Sequence, residues 1–323
     1  MKHVKLYLLA TMLLLGGLPG WAQSFSGSGT GTENDPYLIF NPIQLNEVRN
    51  FLNNPDVWFK VMFDIDLEQW LADNNPSQGW QPIGTQSSPF KGHFLGQGHK
   101  ITGLFINRPS TDNVGFFGQL SGADVSNLSL YGESIEGGAY TGSLAGLAGS
   151  SSSISNCHTY IPVTGGTFTG GMIGCVNNCS VINCSSIGDV SGVSHVGGFV
   201  GQALYNSTIS DCSATGNVNA TDNFAGGGIG STVGATVTRL KTAGSVQGIC
   251  NVSGIVGGTF VSSSNSSIGG VTLNQCTSEG SVSGSGYVAG VIGSATAAVS
   301  INDCSSVGDI TSAHCCPLKI VDG

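Results

Sequence analysis

Five ring-bearing side chains stand at one position of an internal repeat and could bind a ligand. These five positions are Tyr140, Phe168, His195, Phe224 and Tyr287. Each directly precedes a glycine-rich strand, so strict alternation along that strand would point the ring outward, opposite to Val196 and Val200. An outward stripe of rings could stack on sugars or dock a protein. The alternative is that the glycines bend the strand and the rings pack inside or over a corner.

Catalysis is the competing class of function, because a polysaccharide lyase or hydrolase needs paired carboxylates, or a base with a cation, on one face. The repeats instead carry acids at scattered positions, namely Asp124, Glu133, Glu136, Asp189, Asp211, Glu279, Asp303 and Asp309. Arg239 and Lys241 are the only Lys or Arg residues between Arg108 and Lys319. Asp211 is near Arg239 in the repeat register, which predicts a surface ion pair. We therefore predict no catalytic residue and no enzyme activity.

Two further polar pairs precede the repeats. Asp64 and Asp66 share one face of the first predicted strand, where calcium binding or acid–base chemistry is conceivable. The simpler interpretation is that both carboxylates hydrogen-bond to turn backbone. His93 and His99 lie among glycines, and we expect turn residues that bond to backbone because no nucleophile signature accompanies them.

The ten cysteines do not have the spacing of a zinc site. Five share one repeat position with two leucines, in the order Leu128, Cys157, Cys184, Cys212, Leu240, Cys276 and Cys304. A position that accepts Leu or Cys predicts a buried apolar column, since free Cys behaves as a small hydrophobe. Cys175 and Cys179 could pair with each other, and the pairing of Cys250, Cys315 and Cys316 is left open. We expect no metal and no cofactor.

The repeat itself is most visible in Val196-Gly197-Gly198-Phe199-Val200-Gly201, followed by Asp211-Cys212. Its closing glycine recurs at Gly118, Gly146, Gly174, Gly201, Gly230, Gly257 and Gly293, in steps of 28, 28, 27, 29, 27 and 36 residues. Such a period indicates units that cannot bury their apolar faces alone.

Each unit contains three short pieces: the glycine-rich strand, an Ile-x-Asn-Cys strand, and a piece ending in Gly-x-Val, such as Gly188-Asp189-Val190. Three strands in about 28 residues predict an all-β, right-handed parallel β-helix, or β-solenoid. An asparagine ladder is expected at Asn127, Asn156 and Asn183. Leucine-rich repeats rank second, because their L-x-x-L-x-L run is absent.

A family resemblance rests on several segments together: Asn34 to Ile39, Phe63 to Leu67, Trp80 to Gly84, Phe90 to Leu104, and the Val-Gly-Gly-Phe-Val-Gly repeats. This combination resembles the GLUG-motif proteins, which are secreted or surface-exposed, adhesin-like bacterial repeat proteins frequent in Bacteroidetes-type species. The resemblance covers residues ~27–312 and implies a surface-exposed binding protein. Leu95 replaces the acid usual in the Phe-Asp-Gly-x-Gly-His segment, so no role is assigned to that carboxylate.

The segments outside the repeats complete the predicted organisation. Residues 1–22 have a basic start, an apolar run and small residues before a cleavage site, which predicts a signal peptide. Residues 23–56 form a leader and a helix that begins with Asn41 as N-cap and Pro42 at its first position, capping the solenoid. Residues 57–112 form the first coils with a loop excursion, and 113–312 form the repeat solenoid. Residues 313–323 form an irregular tail, as in a truncated or frameshifted copy of a longer protein.

The net charge of the chain limits the classes of molecule that it is expected to bind. The chain has 10 basic and 19 acidic residues, and losing two lysines with the signal peptide gives 8 − 19 = −11. This argues against nucleic acid and against anionic lipid, and no later segment is apolar enough to span a membrane. The sequence therefore predicts a secreted or cell-surface, non-catalytic protein that binds an extracellular glycan or protein. The alternatives are a β-helix enzyme acting on polysaccharide, or a passive stalk for a lost C-terminal domain.

Overall fold

The computed structural model describes residues 25–260 and 270–313 and shows a parallel β-solenoid of about eight turns. The predicted signal peptide, most of the Ser262–Gly270 insert and most of the 313–323 tail lie outside these residues. Every strand pair within a sheet is parallel, and it joins a strand to its counterpart in a neighbouring coil. The inter-strand hydrogen bonds therefore run along the solenoid axis.

Four sheets form the faces of the solenoid. The first face has ten strands: Tyr37–Ile39, Trp58–Val61, His93–Leu95, Asp124–Ser126, Ser153–Ser155, Ser180–Ile182, Thr208–Ser210, Thr236–Thr238, Val271–Asn274 and Val299–Asn302. The second face has fifteen: Ile65–Asp66, Lys100–Asn107, Ser129–Glu136, His158–Tyr160, Val163–Thr164, Ser185–Ile187, Val190–Gly192, Ser213–Thr215, Val218–Ala220, Lys241–Ala243, Val246–Gln247, Thr277–Glu279, Val282–Gly284, Ser305–Val307 and Ile310–Ser312.

The third and fourth faces carry the glycine-rich motif. The third face has five strands: Thr169–Gly170, Val196–Gly197, Ala225–Gly226, Cys250–Ser253 and Gly286–Ala289. The fourth face has seven: Phe117–Ser121, Ala145–Gly149, Ile173–Asn177, Val200–Leu204, Ile229–Val233, Val256–Thr259 and Ile292–Ala295. In-register pairs such as Ile173 with Val200 place the glycines of neighbouring coils one strand spacing apart, as the repeat predicts.

A complete coil contains five short strands, so the expected three are wrong. The glycine-rich piece breaks after Gly197 because the chain turns a corner at Gly198 and Phe199. The Gly-x-Val piece breaks at Gly188, whose φ of 147° is open to glycine and strained for other residues. Corners made by single residues shorten the strands without changing the period.

Two helices lie near the N-terminal end. Helix α1 spans Pro42–Glu47 and continues into a 3-10 turn, Val48–Phe51, and helix α2 spans Glu68–Asn74 within the expected excursion. The predicted N-cap is confirmed, because the Asn41 side chain accepts a hydrogen bond from the Gln44 backbone N–H at 3.0 Å. Leu45, Val48 and Phe51 enter the same hydrophobic core as the first coils. Helix α1 therefore buries apolar surface at this end.

The cap gives a direct stability prediction. Replacing Asn41 by Ala leaves a helix N–H without its acceptor, so we expect Asn41→Ala to lower the free energy of unfolding by about 1 kcal/mol. Urea denaturation followed by circular dichroism measures the change. Asn50→Ala, at an exposed position of the neighbouring turn, is the control and should stay within about 0.5 kcal/mol of wild type. Equal effects of the two substitutions would refute the capping role.

The cysteine column is buried, as predicted. Leu128, Leu240 and four of the five cysteines are at most 2% exposed, and Cys304 in the last described coil is partly exposed. Cys175 and Cys179 are also free, so they do not pair with each other. Burial, together with the thiol of Cys304, raises the pKa of Cys276 to about 11, which keeps this sulfur protonated and hydrophobic at neutral pH.

Phe63 is 61% exposed, because the chain leaves the strand after Val61. The expectations for two histidines need correction. His93 and His99 do not bond to backbone through their rings. The Nδ1 atom of His93 lies 2.8 Å from Asp124, and that of His99 lies 3.2 Å from Asp64.

The prediction that Asp64 and Asp66 hydrogen-bond to turn backbone agrees in part with the structure. Asp66 accepts a hydrogen bond from the backbone N–H of Glu68 at 3.0 Å, in the turn that opens α2. Asp64 accepts one from the backbone N–H of Lys100 at 2.9 Å, which lies in the next coil rather than in the following loop. This bond and His99 lower the pKa of Asp64. Both carboxylates thus help to fix the backbone.

Candidate ligand-binding surface

The five predicted ring positions form a single column with left-handed backbone. Their φ angles are 58° at Tyr140, 63° at Phe168, 54° at His195, 68° at Phe224 and 51° at Tyr287. Asn113 and Asn251 occupy the same position in two other coils, with φ of 57° each. Strict alternation therefore does not hold here, because each residue of the column turns the chain into the third face. The rings nevertheless stay outside both core clusters.

Four of the rings stack in order, and we call Tyr140, Phe168, His195 and Phe224 the aromatic stripe. Neighbouring ring centroids are 4.9, 4.8 and 4.8 Å apart, with planes 15°, 30° and 20° from parallel. This spacing equals the distance between neighbouring strands, about 4.8 Å. Planes so close to parallel at that distance overlap in part, as in offset stacks. The four rings are partly exposed and form an offset stack that runs parallel to the axis.

Tyr287 belongs to the column but not to the stripe. Asn251 stands between Phe224 and Tyr287, and no ring contact joins Tyr287 to the stripe among the described residues. Its side chain is 47% exposed, more than any ring of the stripe. The five residues thus share one structural position, but only the four consecutive ones build a continuous stack.

The closing glycine of the motif makes room for this column. A Cβ atom on Gly201 would lie 2.6 Å from the backbone carbon of Phe168, and one on Gly174 would lie 2.6 Å from that of Tyr140. Real Cβ contacts are not that short, so the ring-bearing turn of one coil sits directly on the glycine of the next. The repeated glycine and the repeated ring position thus form one structural unit.

The rings cover the outside of the fourth face. His195 Nδ1 and the Ser231 hydroxyl are 2.6 Å apart, and Ser231 is fully buried. The Phe224 ring lies over Gly258, where an added Cβ would meet the ring at 2.8 Å. Burial lowers the pKa of His195 to about 4, against a smaller opposing effect of Asp222. The imidazole is therefore neutral at pH 7 and behaves as one more aromatic ring.

Sequence reasoning missed one ring of this surface. Phe260 follows the fourth-face strand Val256–Thr259 and meets Phe224 edge-on, with centroids 4.8 Å apart. Its centroid is also 6.0 Å from that of His195. The available signal was an aromatic residue immediately before the Ser/Asn/Gly-rich insert. Phe260 borders the stripe on one side and widens its apolar area.

A second column with left-handed backbone carries polar side chains. The predicted asparagine ladder is present, with amide-to-amide distances of 3.2 Å from Asn156 to Asn127 and 2.6 Å from Asn183 to Asn156. The predicted ion pair follows in the same column, where Asp211 accepts two hydrogen bonds from Arg239, each 2.6 Å long. Arg239 lowers the pKa of Asp211. Both features bridge coils at the surface.

Among residues 25–260 and 270–313, no three His, Cys, Asp or Glu side chains converge in a way that could hold a metal ion. The same residues contain no helix with the length and apolarity needed to cross a bilayer.

The fold defines the chain as a parallel β-solenoid of the kind found in two solved structures. One is a Bacteroides ovatus protein described as a candidate immunoglobulin A1 protease, with a TM-score of 0.58, 20% identity, and coverage of 88% of this chain and 86% of that one. The other is described as an IgA1 protease, with a TM-score of 0.57, 16% identity, and coverage of 85% and 22%. At these identities the likeness concerns the fold alone.

The sequence comparisons identify the repeat. Residues 192–219 match the GLUG motif, so the resemblance drawn from the sequence is confirmed at that coil. A candidate Gly-rich membrane protein of Evansella cellulosilytica is 41% identical over 128 residues, or 38% of this chain and 14% of its own length. Halomucin of Haloquadratum walsbyi is 35% identical over 172 residues, or 52% of this chain and 2% of its own length. The chain thus spans a small part of either relative.

Proposed function

We propose that this chain is a secreted or cell-surface, non-catalytic binding protein whose aromatic stripe holds an extended glycan chain. The observation that carries the proposal is the run of four stacked, partly exposed rings at one-coil spacing. One residue of an extended β-linked glycan is about as long as one coil is thick. Successive sugars can therefore meet successive rings.

Backbone strain supports a selected role for these rings. Left-handed backbone at a residue other than glycine costs about 1–2 kcal/mol, and asparagine tolerates it best. Two coils use asparagine at this position, at Asn113 and Asn251, whereas four consecutive coils use a ring. Stacking offsets part of the strain. Bulky rings at a strained position are typical of surfaces kept for function.

The names of the relatives fit an extracytoplasmic location, since one is described as a membrane protein and the other as a halomucin. The predicted signal peptide over residues 1–22 agrees with it. The likeness to proteins described as IgA1 proteases is at the level of fold, and fold alone does not give function.

The test removes the rings without disturbing the fold. We expect the triple variant Tyr140→Asn, Phe168→Asn, Phe224→Asn to lose binding to its ligand on a glycan and extracellular-matrix array by at least about tenfold. Asparagine at these positions is already compatible with the solenoid, because Asn113 and Asn251 use it. Circular dichroism and thermal melting should show an intact solenoid.

Phe63→Asn is the matched control, since Phe63 is an exposed aromatic side chain outside the column; it should bind like wild type. Unchanged binding of the triple variant to every glycan that wild type binds would remove the stripe from consideration. Binding confined to matrix proteins would refute the glycan as ligand, and turnover of any polysaccharide on the array would refute the non-catalytic role.

A further inference from the structure

A separate concave surface lies on the second face, where α2 folds back over the sheet. This cleft has a volume of about 570 Å³ and lies between Glu68 of α2 on one side and Phe105, Tyr131 and Glu133 of the sheet on the other. Cavities of this size accommodate small molecules or a few sugar residues. It does not share a residue with the aromatic stripe.

Two glycines of the lining allow backbone segments to approach each other closely. A Cβ atom on Gly103 would lie 2.6 Å from the backbone nitrogen of Glu68, and one on Gly132 would meet the Leu104 carbonyl oxygen. The register between Lys100–Asn107 and Ser129–Glu136 shifts twice near Leu104. Irregular pairing of this kind re-aims side chains and is frequent beside binding sites. The glycines thus hold α2 and the two strands close together, and the register shift shapes the lining of the cleft.

Aromatic side chains supply an apolar wall. The Tyr131 ring stacks on Tyr160 of the next coil with centroids 4.3 Å apart and planes 4° from parallel, which fixes its orientation. The Lys100 ammonium lies 5.5 Å from the centroid of the same ring. Tyr131 therefore already contacts a cation through its ring. Phe105 adds a second, partly exposed ring to the wall.

The charge of the lining is negative. Glu68 and Glu133 are both exposed and both line the cleft, whereas no Lys or Arg belongs to its lining. Ionised carboxylates only accept hydrogen bonds, and bonds to them from an ammonium group are stronger than those from neutral donors. Such a lining favours a ligand with an apolar face and a positive charge, and disfavours a uronic acid or a sulfated sugar.

We propose that this cleft binds an amino-sugar residue of a glycan, with its ammonium group paired with Glu68 and Glu133. The pyranose ring lies against Phe105 and the edge of Tyr131, since Tyr160 and Lys100 occupy the faces of the Tyr131 ring. A rigid pyranose chair presents a patch of C–H groups, which matches the aromatic wall better than a flexible lysine side chain does. This site is independent of the aromatic stripe and does not rest on the function proposed for it.

The test is isothermal titration of the full chain with three probes: a glucosamine hexamer, its N-acetylated counterpart and a galacturonate hexamer. We expect the glucosamine hexamer to bind about tenfold more tightly than the N-acetylated one, because only the former carries ammonium groups. The galacturonate hexamer should not bind. Raising the salt concentration should reduce the difference in affinity between the glucosamine hexamer and its N-acetylated counterpart.

Single substitutions locate the site. Glu133→Gln and Glu68→Gln change exposed carboxylates and are not expected to affect folding; each should weaken glucosamine-hexamer binding about five- to tenfold while leaving the N-acetylated probe nearly unchanged. Tyr131→Ala should weaken both. Glu279→Gln is the matched control, because Glu279 is exposed on the same face four coils away from Tyr160. The Glu279→Gln variant should bind the glucosamine hexamer with the same affinity as wild type.

Several results would overturn the proposal. Equal affinity for all three probes would show that the carboxylates do not recognise the ammonium group. The same would follow if both glutamine variants kept the wild-type difference in affinity between the glucosamine hexamer and its N-acetylated counterpart. Binding of an oligolysine peptide without any saccharide binding would assign the cleft to another class of ligand. Shortening of the hexamer during titration would make the cleft a site of hydrolysis rather than of binding. The triple asparagine variant of the stripe should keep this binding, which separates the two sites.

Discussion

Gly201→Ala is expected to lower the free energy of unfolding by about 2–3 kcal/mol, as overpacking of a close backbone contact does. The added Cβ would lie 2.5 Å from the Gly174 carbonyl oxygen and 2.6 Å from the Phe168 backbone carbon. Neither neighbour is the end of a flexible side chain, so relief requires the two coils to separate. Because every face is hydrogen-bonded to the next coil, that movement disturbs all sheets at once. Urea denaturation followed by circular dichroism measures the loss.

Gly149→Ala is the matched control for this prediction. Gly149 is also buried on the fourth face, but its added Cβ would come no closer than 3.5 Å to any neighbour, the nearest being the Leu147 side chain. We expect a change within about 1 kcal/mol, since this is an ordinary packing distance. A Gly201→Ala protein as stable as Gly149→Ala would mean that the ring-bearing turn does not rest on the next coil.

The second large effect is a pH dependence that belongs to His195. Burial holds its pKa near 4 in the folded protein, below the ordinary value of 6.5. Above pH 6.5 the ring is neutral in both states and contributes no pH dependence. Between pH 6.5 and pH 4 the unfolded chain binds a proton that the folded chain does not, so the free energy of unfolding decreases as the pH is lowered. Because the ring is partly exposed, we expect about 1–2 kcal/mol over this window.

His195→Phe should remove this dependence, and phenylalanine occupies the same position at Phe168 and Phe224. The measurement is the difference in unfolding free energy between wild type and variant at several pH values from 7.5 to 4, which cancels the other titrating groups. His195→Asn is the matched control, since it also lacks the titrating ring. The two variants should differ from each other by a constant amount. A wild-type-minus-Phe difference that stays flat across the window would contradict the burial of His195.

The repeat alone predicted which side chains meet. Positions 28 residues apart became neighbours, so the cysteine column, the asparagine ladder and the Asp211–Arg239 pair could be derived by counting along the chain. The number of strands per coil could not be derived from the repeat. It depends on single residues such as Gly188 and His195, whose positive φ angles create corners. A ring at a repeat position does not indicate left-handed backbone, as glycine or asparagine would.

The sites were predicted only in part for a similar reason. The ring column could be found from the sequence because its members share one repeat position. We did not predict from the sequence that the stack would end at Phe224, where Asn251 separates it from Tyr287. Tyr131 and Tyr160 also share a position, four residues after Asn127 and Asn156, and could have been found the same way. The cleft beside them could not, since it combines α2 with a register shift in the sheet. Non-repeating elements have no counterpart in the next coil to reveal them.

The direction of the inter-strand hydrogen bonds has a mechanical consequence. Because they lie along the axis, a pull applied between the two chain ends would load the outermost row of bonds rather than all rows together. The chain would then unwind one coil after another, and each coil of roughly 28 residues would release about 90–100 Å of extended chain. Such stepwise lengthening at low force would let a molecule tethered at a cell surface absorb drag without losing the coils that remain.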